Sequence, residues 1–329
     1  MSPPLSLKVA VERWPIAGSF TISRGAKTEA VVVTAEVSDG AARGQGECVP
    51  YPRYGESPEG VAAAIEAMAP ALKDGLTRDA LQGAMPAGAA RNALDCALWD
   101  YAAKCSGRRV HELAGLPPPQ PLVTAYTISL GEPAAMAKAA TQAADRALLK
   151  VKLGAPGDGE RIAAVRRAAP KATLVVDANE GWTADNLAEN IAACARAGVQ
   201  LIEQPLPASA DDALANIARP IPICADESVH DRASLTALVG RYDAVNIKLD
   251  KTGGLTEALA MRADAERLGF AVMVGCMVAT SLSMAPALLV AQGTQFADLD
   301  GPLLLVRDRE GGLRYAGSMV ELTSFALWG

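Results

Sequence analysis

Several kinds of residue are scarce in this chain of 329 residues, and each scarcity argues against a class of protein. There are two histidines, His111 and His230, so we do not expect a metal site built from several histidines. The six cysteines are scattered without a C-x-x-C pair, which predicts reduced thiols. The net charge is −6 and no block of basic residues is present, so neither nucleic acid nor an anionic membrane is an expected partner.

Long uncharged apolar runs are also missing. The most apolar stretch, 271–291, contains Gly, Thr, Ser and Pro, and we interpret it as strand, loop and helix rather than a membrane span. The first residues, MSPPLSLKVAVERW, lack the apolar centre of a signal peptide. We therefore expect a cytoplasmic globular protein, and we leave open whether it forms a homo-oligomer.

The chain does contain an alternation of short β-branched runs and Ala-rich helical stretches from about residue 122. Eight runs are typical of strands, at 122–128, 148–153, 173–179, 199–204, 221–227, 244–249, 271–275 and 296–300. Helical patterns such as 158–169, 183–198 and 255–269 lie between them. This order favours a closed parallel α/β barrel. An open doubly wound sheet is the alternative, but no G-x-G-x-x-G follows an early strand.

The residues before the barrel show a different pattern. Stretches 8–16 and 29–40 resemble antiparallel strands, and 57–72, 76–84 and 89–104 resemble helices. The PPPQP segment at 117–121 is a stiff boundary. We therefore predict an α+β domain at 1–116, a barrel at 117–308, and a C-terminal segment at 309–329 that packs on the first domain.

Three acidic residues end successive strands of the predicted barrel: Asp177, Glu203 and Asp226. The C-terminal ends of barrel strands meet at one mouth, so these side chains should converge. Buried carboxylates repel one another unless a cation neutralises them. Oxygen ligands without His or Cys favour a hard ion, Mg²⁺ before Ca²⁺. The sequence therefore predicts one Mg²⁺ site.

Lysines flank these acids along the chain. Lys150 and Lys152 lie two apart on the preceding strand and point to the same face, and Lys248 ends the strand that follows. Repulsion between neighbouring ammonium groups lowers a lysine pKa, whereas the nearby acids raise it. A lysine on each side of a metal would allow a proton α to a carboxylate to leave one face of the carbon and return to the other. The alternative is that the lysines extend to solvent at the barrel rim.

Two further features have mainly structural interpretations. The helix-like stretch 89–104 carries apolar residues at helical spacing, so Leu94 and Trp99 are core candidates, while Asp95 faces solvent or caps a neighbour. Gly253 and Gly254, shortly after Lys248, should let the backbone approach the substrate or begin the next helix.

Taken together, eight motifs carry a resemblance to a known family: GECVPYPRYGES, PAGAARNALDCALWD, LLKVKL, VDANE, EQPLP, CADES, VNIKLDKTGGLTEAL and FADLDGP. Over residues 8–305 the chain resembles the enolase superfamily, in its muconate-lactonising subgroup, and is similar to the bacterial dipeptide epimerases of that subgroup. The resemblance implies an α+β capping domain over a modified TIM barrel, (β/α)₇β, with the capping domain completed by the C-terminal tail.

Site roles can be carried over by position. The resemblance implies that Mg²⁺ is held by Asp177, Glu203 and Asp226, that Lys152 and Lys248 are the acid/base catalysts, and that Lys150 helps set the pKa of Lys152. It also implies that an acidic pair on one face of the last strand, Asp298 and Asp300, binds the α-ammonium of a dipeptide. For the side-chain carboxylate of the substrate, Arg24 is the first candidate and Arg53 the second.

The implied reaction is Mg²⁺-dependent epimerisation of L-Ala-D-Glu to L-Ala-L-Glu from cell-wall peptides, by two-lysine proton transfer through a metal-stabilised enediolate. The alternatives are epimerisation of other dipeptides, or a lyase reaction of the cycloisomerase or o-succinylbenzoate synthase type. Asp298 and Asp300 argue against such lyases because an acidic pair would repel their substrates. A Schiff-base aldolase and an inactive ligand-binding barrel are further alternatives, and neither needs the full set of acids and lysines.

Overall fold

The N-terminal part of the chain forms an antiparallel sheet in a computed structural model that describes residues 4–322 and 324–329. Three strands lie side by side in chain order: β1 Ser6–Ile22, β2 Gly25–Ser38 and β3 Arg43–Cys48. Val33, Ala35 and Val37 of β2 are fully buried, because alternate strand side chains point to one face. The predicted antiparallel pairing of the first two strands is confirmed.

Helices of this part of the chain follow the sheet: α1 Pro58–Glu66, α2 Ala69–Lys73, α3 Arg78–Ala84, α4 Ala89–Ser106 and α5 Val110–Leu113. The single helix expected over 57–72 is interrupted after Glu66, and α2 begins with a proline in its first turn. Helix α4 lies directly on β3. A Cβ atom at Gly46 would lie 2.0 Å from the Ala93 carbonyl oxygen, so this close approach requires glycine.

A parallel sheet of eight strands forms the larger part of the molecule. After a short strand β4 Leu122–Val123, its members are β5 Tyr126–Ile128, β6 Leu148–Lys152, β7 Thr173–Asp177, β8 Val199–Glu203, β9 Ile223–Ala225, β10 Ala244–Ile247, β11 Ala271–Val274 and β12 Phe296–Ala297. They neighbour one another in chain order. The amide of Ala125, just before β5, donates to the Ala297 carbonyl at 2.8 Å, which joins the first strand to the last. The predicted parallel barrel is confirmed.

Helices pack around the barrel strands: α6 Pro133–Gln142, α7 Asp158–Ala168, α8 Ala184–Arg196, α9 Arg232–Leu235, α10 Leu249–Thr252, α11 Leu255–Arg267 and α12 Ser281–Val290. Between β8 and β9 the described chain forms a 3₁₀ segment, Asp211–Asn216, in place of an α-helix. Among the described residues, no helix combines the length and apolar character needed to cross a membrane.

The C-terminal segment contacts both parts of the molecule. Strands β13 Arg314–Ala316 and β14 Met319–Glu321 form a small sheet with β4. At the end of the chain, the Trp328 indole donates to the Cys96 carbonyl of α4 at 3.0 Å. The Gly329 carbonyl accepts from the Val110 amide at the start of α5. The domain limits 1–116, 117–308 and 309–329 stay a prediction.

Candidate active site

Three carboxylates meet at the C-terminal mouth of the barrel. Asp177 and Glu203 are the last residues of β7 and β8, and Asp226 follows β9 directly. One oxygen from each lies within 4.8 Å of the others, and all three side chains are buried. Neighbouring parallel strands in register bring their ends to this spacing, so the predicted convergence is observed.

The carboxylate group of Glu203 indicates that this triad suits a hard cation. Its Oε2 lies 2.6 Å from Lys150 Nζ without hydrogen-bonding geometry, and it has no hydrogen-bond partner among the described residues. Burial and the neighbouring Asp177 raise the pKa of Glu203 to about 7. A buried carboxylate with an unused oxygen beside two further acids is an oxygen-only donor set, which fits Mg²⁺.

Lysines neutralise the other two acids. Burial alone would raise the pKa of Asp177, but Lys152 and Lys150 beside it bring that pKa down to about 2. Lys152 Nζ lies 2.6 Å from Asp177 Oδ2. On the far side of the triad, Lys248 Nζ lies 2.7 Å from Asp226 Oδ2. Burial would raise the pKa of Asp226, but Lys248 and Lys251 hold it well below its usual range.

The position of Lys150 differs from that of the two flanking lysines. Its ammonium group lies 2.6 Å from Glu203, 2.8 Å from Asp298 and 3.2 Å from Asp177, and 1% of the residue is exposed. Burial lowers its pKa, but the carboxylates outweigh this and raise the pKa well above the ordinary lysine value. The surrounding acids therefore favour the ammonium form of Lys150.

The predicted acidic pair lies at the same mouth but not on a strand. Strand β12 ends at Ala297, so Asp298 and Asp300 belong to the loop that leads into a short 3₁₀ segment. Asp298 binds Lys150 through Oδ2, and its Oδ1 has no partner among the described residues. Asp300 accepts from the Thr127 amide at 2.6 Å, and burial together with Asp298 raises its pKa to about 7.

The two candidate arginines come from the N-terminal domain. Arg24, in the turn between β1 and β2, reaches Glu227 at 2.7 Å and the Asn179 carbonyl at 2.8 Å. Arg53 forms a bidentate pair with Glu180 at 2.8 Å for both contacts. Each arginine therefore already contacts a carboxylate of the barrel loops.

A single cavity of about 820 Å³ brings most of these groups together. Its lining includes residues of both parts of the molecule: Arg24, Arg53, Lys152, Asp226, Lys248, Asp298 and Asp300. Phe20 of β1 also lines it, with its ring centroid 5.6 Å from Lys152 Nζ. The N-terminal sheet thus lies over the barrel mouth and leaves a partly open cavity large enough for a small polar molecule.

Sequence reasoning missed three residues at this mouth. Lys251 donates to Asp226 Oδ1 at 2.6 Å and is 2% exposed. Glu227 pairs with Arg24, and the Asn179 side chain donates to Asp177 at 3.1 Å. Signals existed, because Glu227 follows a predicted ligand directly and Lys251 lies three residues after Lys248. Neither spacing identifies a partner on another strand.

Family models match both parts of the chain. The model described as "Mandelate racemase / muconate lactonizing enzyme, N-terminal domain" matches residues 5–115, and "Enolase C-terminal domain-like" matches residues 134–312. The chain belongs to the mandelate racemase/muconate lactonizing enzyme family. The predicted membership of the enolase superfamily is confirmed.

Relatives in the mandelate racemase/muconate lactonizing enzyme family align over nearly the whole chain. The L-Ala-D/L-Glu epimerase of Escherichia coli is 50% identical over 96% of this chain and 99% of its own. An N-acetyl-D-glutamate racemase of Pseudoalteromonas is 43% identical over 91% and 95%. A solved enolase family member from Agrobacterium tumefaciens, with homology to dipeptide epimerases and with bound sodium and L-Ala-L-Glu, is 60% identical. It has a TM-score of 0.98 and covers 99% of this chain and 100% of its own.

Proposed function

We propose that this protein is a cytoplasmic, Mg²⁺-dependent epimerase that interconverts L-Ala-D-Glu and L-Ala-L-Glu from cell-wall peptides. The observation that carries the proposal is the placement of Lys152 and Lys248 at opposite ends of one carboxylate triad in one cavity. The 50% identical epimerase of Escherichia coli and the relative with bound L-Ala-L-Glu support this substrate class.

The triad of Asp177, Glu203 and Asp226 would hold Mg²⁺. When bound, the ion supplies positive charge beside the substrate carboxylate that gains negative charge as the α-proton leaves. The role of Lys150 follows from its contacts, because an ammonium group fixed against Glu203 and Asp298 adds a second positive charge below the same site.

Lys152 and Lys248 would move the proton. In one direction, one lysine as a neutral amine accepts the α-proton of the glutamyl residue, and the other as an ammonium donates a proton to the opposite face of the same carbon. In the reverse direction the two roles exchange. Because the lysines contact different acids at the two ends of the triad, they can approach the carbon from two sides.

The remaining groups fit the ends of a dipeptide. Asp298 has an unpartnered buried oxygen and lies beside Asp300, so an ammonium group between them would relieve their repulsion. Arg24 and Arg53 line the same cavity and would bind the side-chain carboxylate, with Glu227 and Glu180 orienting them.

N-acetylglutamate racemisation is a second candidate, favoured by the 43% identical relative. An N-acetyl group carries no positive charge, so Asp300 and the unpartnered Oδ1 of Asp298 would gain no ammonium donor from it. A site with buried unpaired groups discriminates strongly against a substrate that cannot satisfy them. The same argument disfavours the cycloisomerase and o-succinylbenzoate synthase reactions.

The test is α-proton exchange followed by ¹H NMR in D₂O with MgCl₂. We expect deuterium at the glutamyl α-carbon from both L-Ala-D-Glu and L-Ala-L-Glu, with conversion of each into the other. N-acetyl-glutamate should exchange at least about 100-fold more slowly. Faster exchange of N-acetyl-glutamate would establish the second candidate, and no exchange from any of the three would refute both. The Lys152→Ala/Lys248→Ala double variant gives the background.

A further inference from the structure

The short helix α10 presents two lysines to one metal-ligand candidate. Lys248 caps its N-terminus, and Lys251 lies in its last turn. Their ammonium groups reach different oxygens of Asp226, at 2.7 Å for Lys248 and 2.6 Å for Lys251. Residues three apart lie on the same side of a helix, so this side of α10 faces the active site.

The other side of α10 contacts helix α4 of the N-terminal domain. The Asn92 side chain donates to Asp250 Oδ1 at 2.8 Å, and the Val49 amide donates to the same oxygen at 3.0 Å. Arg91 donates to the carbonyl oxygens of Thr252 at 2.7 Å and Gly253 at 3.1 Å. These contacts are buried, so each lost hydrogen bond would leave an unsatisfied polar group.

The two glycines after α10 allow this contact. A Cβ at Gly253 would lie 2.4 Å from Arg91 Nε, and one at Gly254 would lie 2.5 Å from Asp95 Cβ. Their φ angles of +80° and +114° also favour glycine. Asp95 accepts from the Thr256 amide at 3.0 Å and so caps α11 from the neighbouring domain. The glycine pair therefore allows the close approach of α4. Gly254 is also the N-cap of α11, as expected for a pair that begins the next helix.

Strand register does not extend to Lys248. Strand β10 ends at Ile247, and the Lys248 carbonyl accepts from the Lys251 and Thr252 amides of α10 instead. The position of the Lys248 ammonium therefore depends on where α10 lies. Helix α4 contacts α10 through side chains and carbonyl oxygens on the side of α10 away from the active site.

We infer that Arg91, Asn92 and Asp250 are positioning residues that hold Lys248 in place for proton transfer. The inference rests on the proposed function, in which Lys248 serves one face of the substrate carbon and Lys152 the other. None of the three residues lines the cavity. Loss of their contacts should therefore impair proton transfer at the Lys248 face and spare the Lys152 face.

Asp250→Ala is the main test variant, and Asn92→Ala is the second, in case the first does not fold. The Lys152→Ala and Lys248→Ala variants first assign each epimer to its lysine by deuterium exchange. We then expect Asp250→Ala to slow exchange of the Lys248-dependent epimer by about 10–100-fold, as small misplacements of a catalytic group do. The Lys152-dependent epimer should change by less than about 3-fold.

Two variants provide matched controls. Asp250→Asn keeps the Oδ1 acceptor for Asn92 and Val49, so exchange of both epimers should stay within about 3-fold of wild type. Glu47→Gln alters another buried contact between the domains, where the Glu47 side chain accepts from Thr280 and Arg309, and it keeps the Glu47 carbonyl that accepts from Asn92. Glu47→Gln should change the exchange rates of the two epimers by equal factors. The inference would be overturned if Asp250→Ala slowed exchange of the two epimers equally. It would also be overturned if Asp250→Asn slowed exchange as much as Asp250→Ala does.

Crystal structures give a readout that needs no substrate. In Asp250→Ala and Asn92→Ala, Lys248 Nζ should leave hydrogen-bonding distance of Asp226, whereas in Glu47→Gln it should remain. An unmoved Lys248 in both variants would overturn the positioning role, whichever molecule is the substrate. If the wild-type protein exchanges no dipeptide α-proton, the proposed function fails, and these structures alone decide the inference.

Discussion

The two lysines that flank the carboxylate triad are held by different kinds of structure. Lys152 is the last residue of β6 and lies in register with Asp177 of β7, to which its ammonium also binds at 2.6 Å. Lys248 lies beyond the end of β10, at the start of a four-residue helix, and binds Asp226 at 2.7 Å. The two ion pairs are similar, but strand pairing positions Lys152 whereas a short helix positions Lys248.

The difference shows which of the two lysines is supported by contacts from the N-terminal domain. A ladder of parallel strands positions Lys152 through hydrogen bonds within the barrel itself. Lys248 has no such ladder, and Arg91 and Asn92 from α4 support the helix that carries it. One proposed base therefore belongs to the barrel alone, whereas the other requires both domains.

Removing each lysine in turn is the largest expected perturbation. Lys152→Ala and Lys248→Ala should each reduce interconversion of the two dipeptide epimers by at least about 10²-fold, because general acid–base groups contribute about 10²–10⁴-fold. Each variant should retain α-proton exchange of the epimer that the remaining lysine serves, measured by NMR in D₂O. If both variants retained α-proton exchange of the same epimer, the two lysines would not serve opposite faces of the carbon.

Removing a charge from either end of the triad should weaken Mg²⁺ binding. Asp177→Asn and Asp226→Asn each replace a carboxylate ligand, and we expect a loss of Mg²⁺ affinity of about 100-fold or more. Calorimetric titration with MgCl₂ measures it without substrate. Asp298→Asn is the control, because Asp298 lies outside the triad. The Mg²⁺ affinity of this variant should differ from that of wild type by less than about 3-fold. Equal weakening in all three would show that total negative charge, rather than ligation, holds the ion.

The Lys248 side should also show a distinct pH dependence of stability. Burial raises the pKa of Asp250 to about 7, although the Val49 amide and Asn92 oppose this. The folded state therefore keeps a proton that the unfolded state has lost, so this group's contribution to stability falls as pH rises from about 4 to 7. Asp250→Asn removes that loss and should be more stable than wild type by about 1–3 kcal/mol at pH 8.

Chemical unfolding of both proteins at pH 5 and pH 8 measures this difference. The advantage of Asp250→Asn should be smaller at pH 5 than at pH 8. A difference that is the same at both pH values would show that the Asp250 carboxyl titrates alike in the folded and unfolded states.

The smallest expected effect lies on the Lys152 side. Ser23, in the turn between β1 and β2, donates to the Asn179 carbonyl at 2.8 Å and joins the N-terminal sheet to the barrel near Lys152. Ser23→Ala should cost about 0.5–1.5 kcal/mol of unfolding free energy, the usual net worth of one hydrogen bond. Exchange of the Lys152-dependent epimer should change by less than about 3-fold. A larger loss would show that both lysines depend on the N-terminal domain.

Most of the barrel was predictable because its signals are local. All eight predicted strand regions contain a strand of the parallel sheet, and Asp177, Glu203 and Lys152 end strands as expected. Errors concern where elements end. Asp298 and Asp300 lie beyond β12, and the crossover after β8 has a 3₁₀ segment. Such boundaries depend on which backbone groups find partners on the neighbouring strand, which a single run of residues does not specify.

The candidate site was predictable where a residue's own strand positions it. The periodic strand ends brought together the three acids and the flanking lysines. Lys251, Glu227 and Asn179 were missed because each takes its place from a partner on another element. Arg24 and Arg53 line the cavity, and their binding of the substrate carboxylate stays a prediction. Their pairing with Glu227 and Glu180 was not foreseen.

The sequence by itself determined the order of strands, the two-residue alternation that aims Lys150 and Lys152 together, and the acids that follow. These features depend on residues close in the chain, where strand geometry sets the direction of each side chain. Only the tertiary structure decided that Asn92 meets Asp250, 158 positions away, and that α4 supports the helix of Lys248. The reason is physical: the direction of a hydrogen bond between two domains depends on how their surfaces pack, and no local pattern encodes that packing.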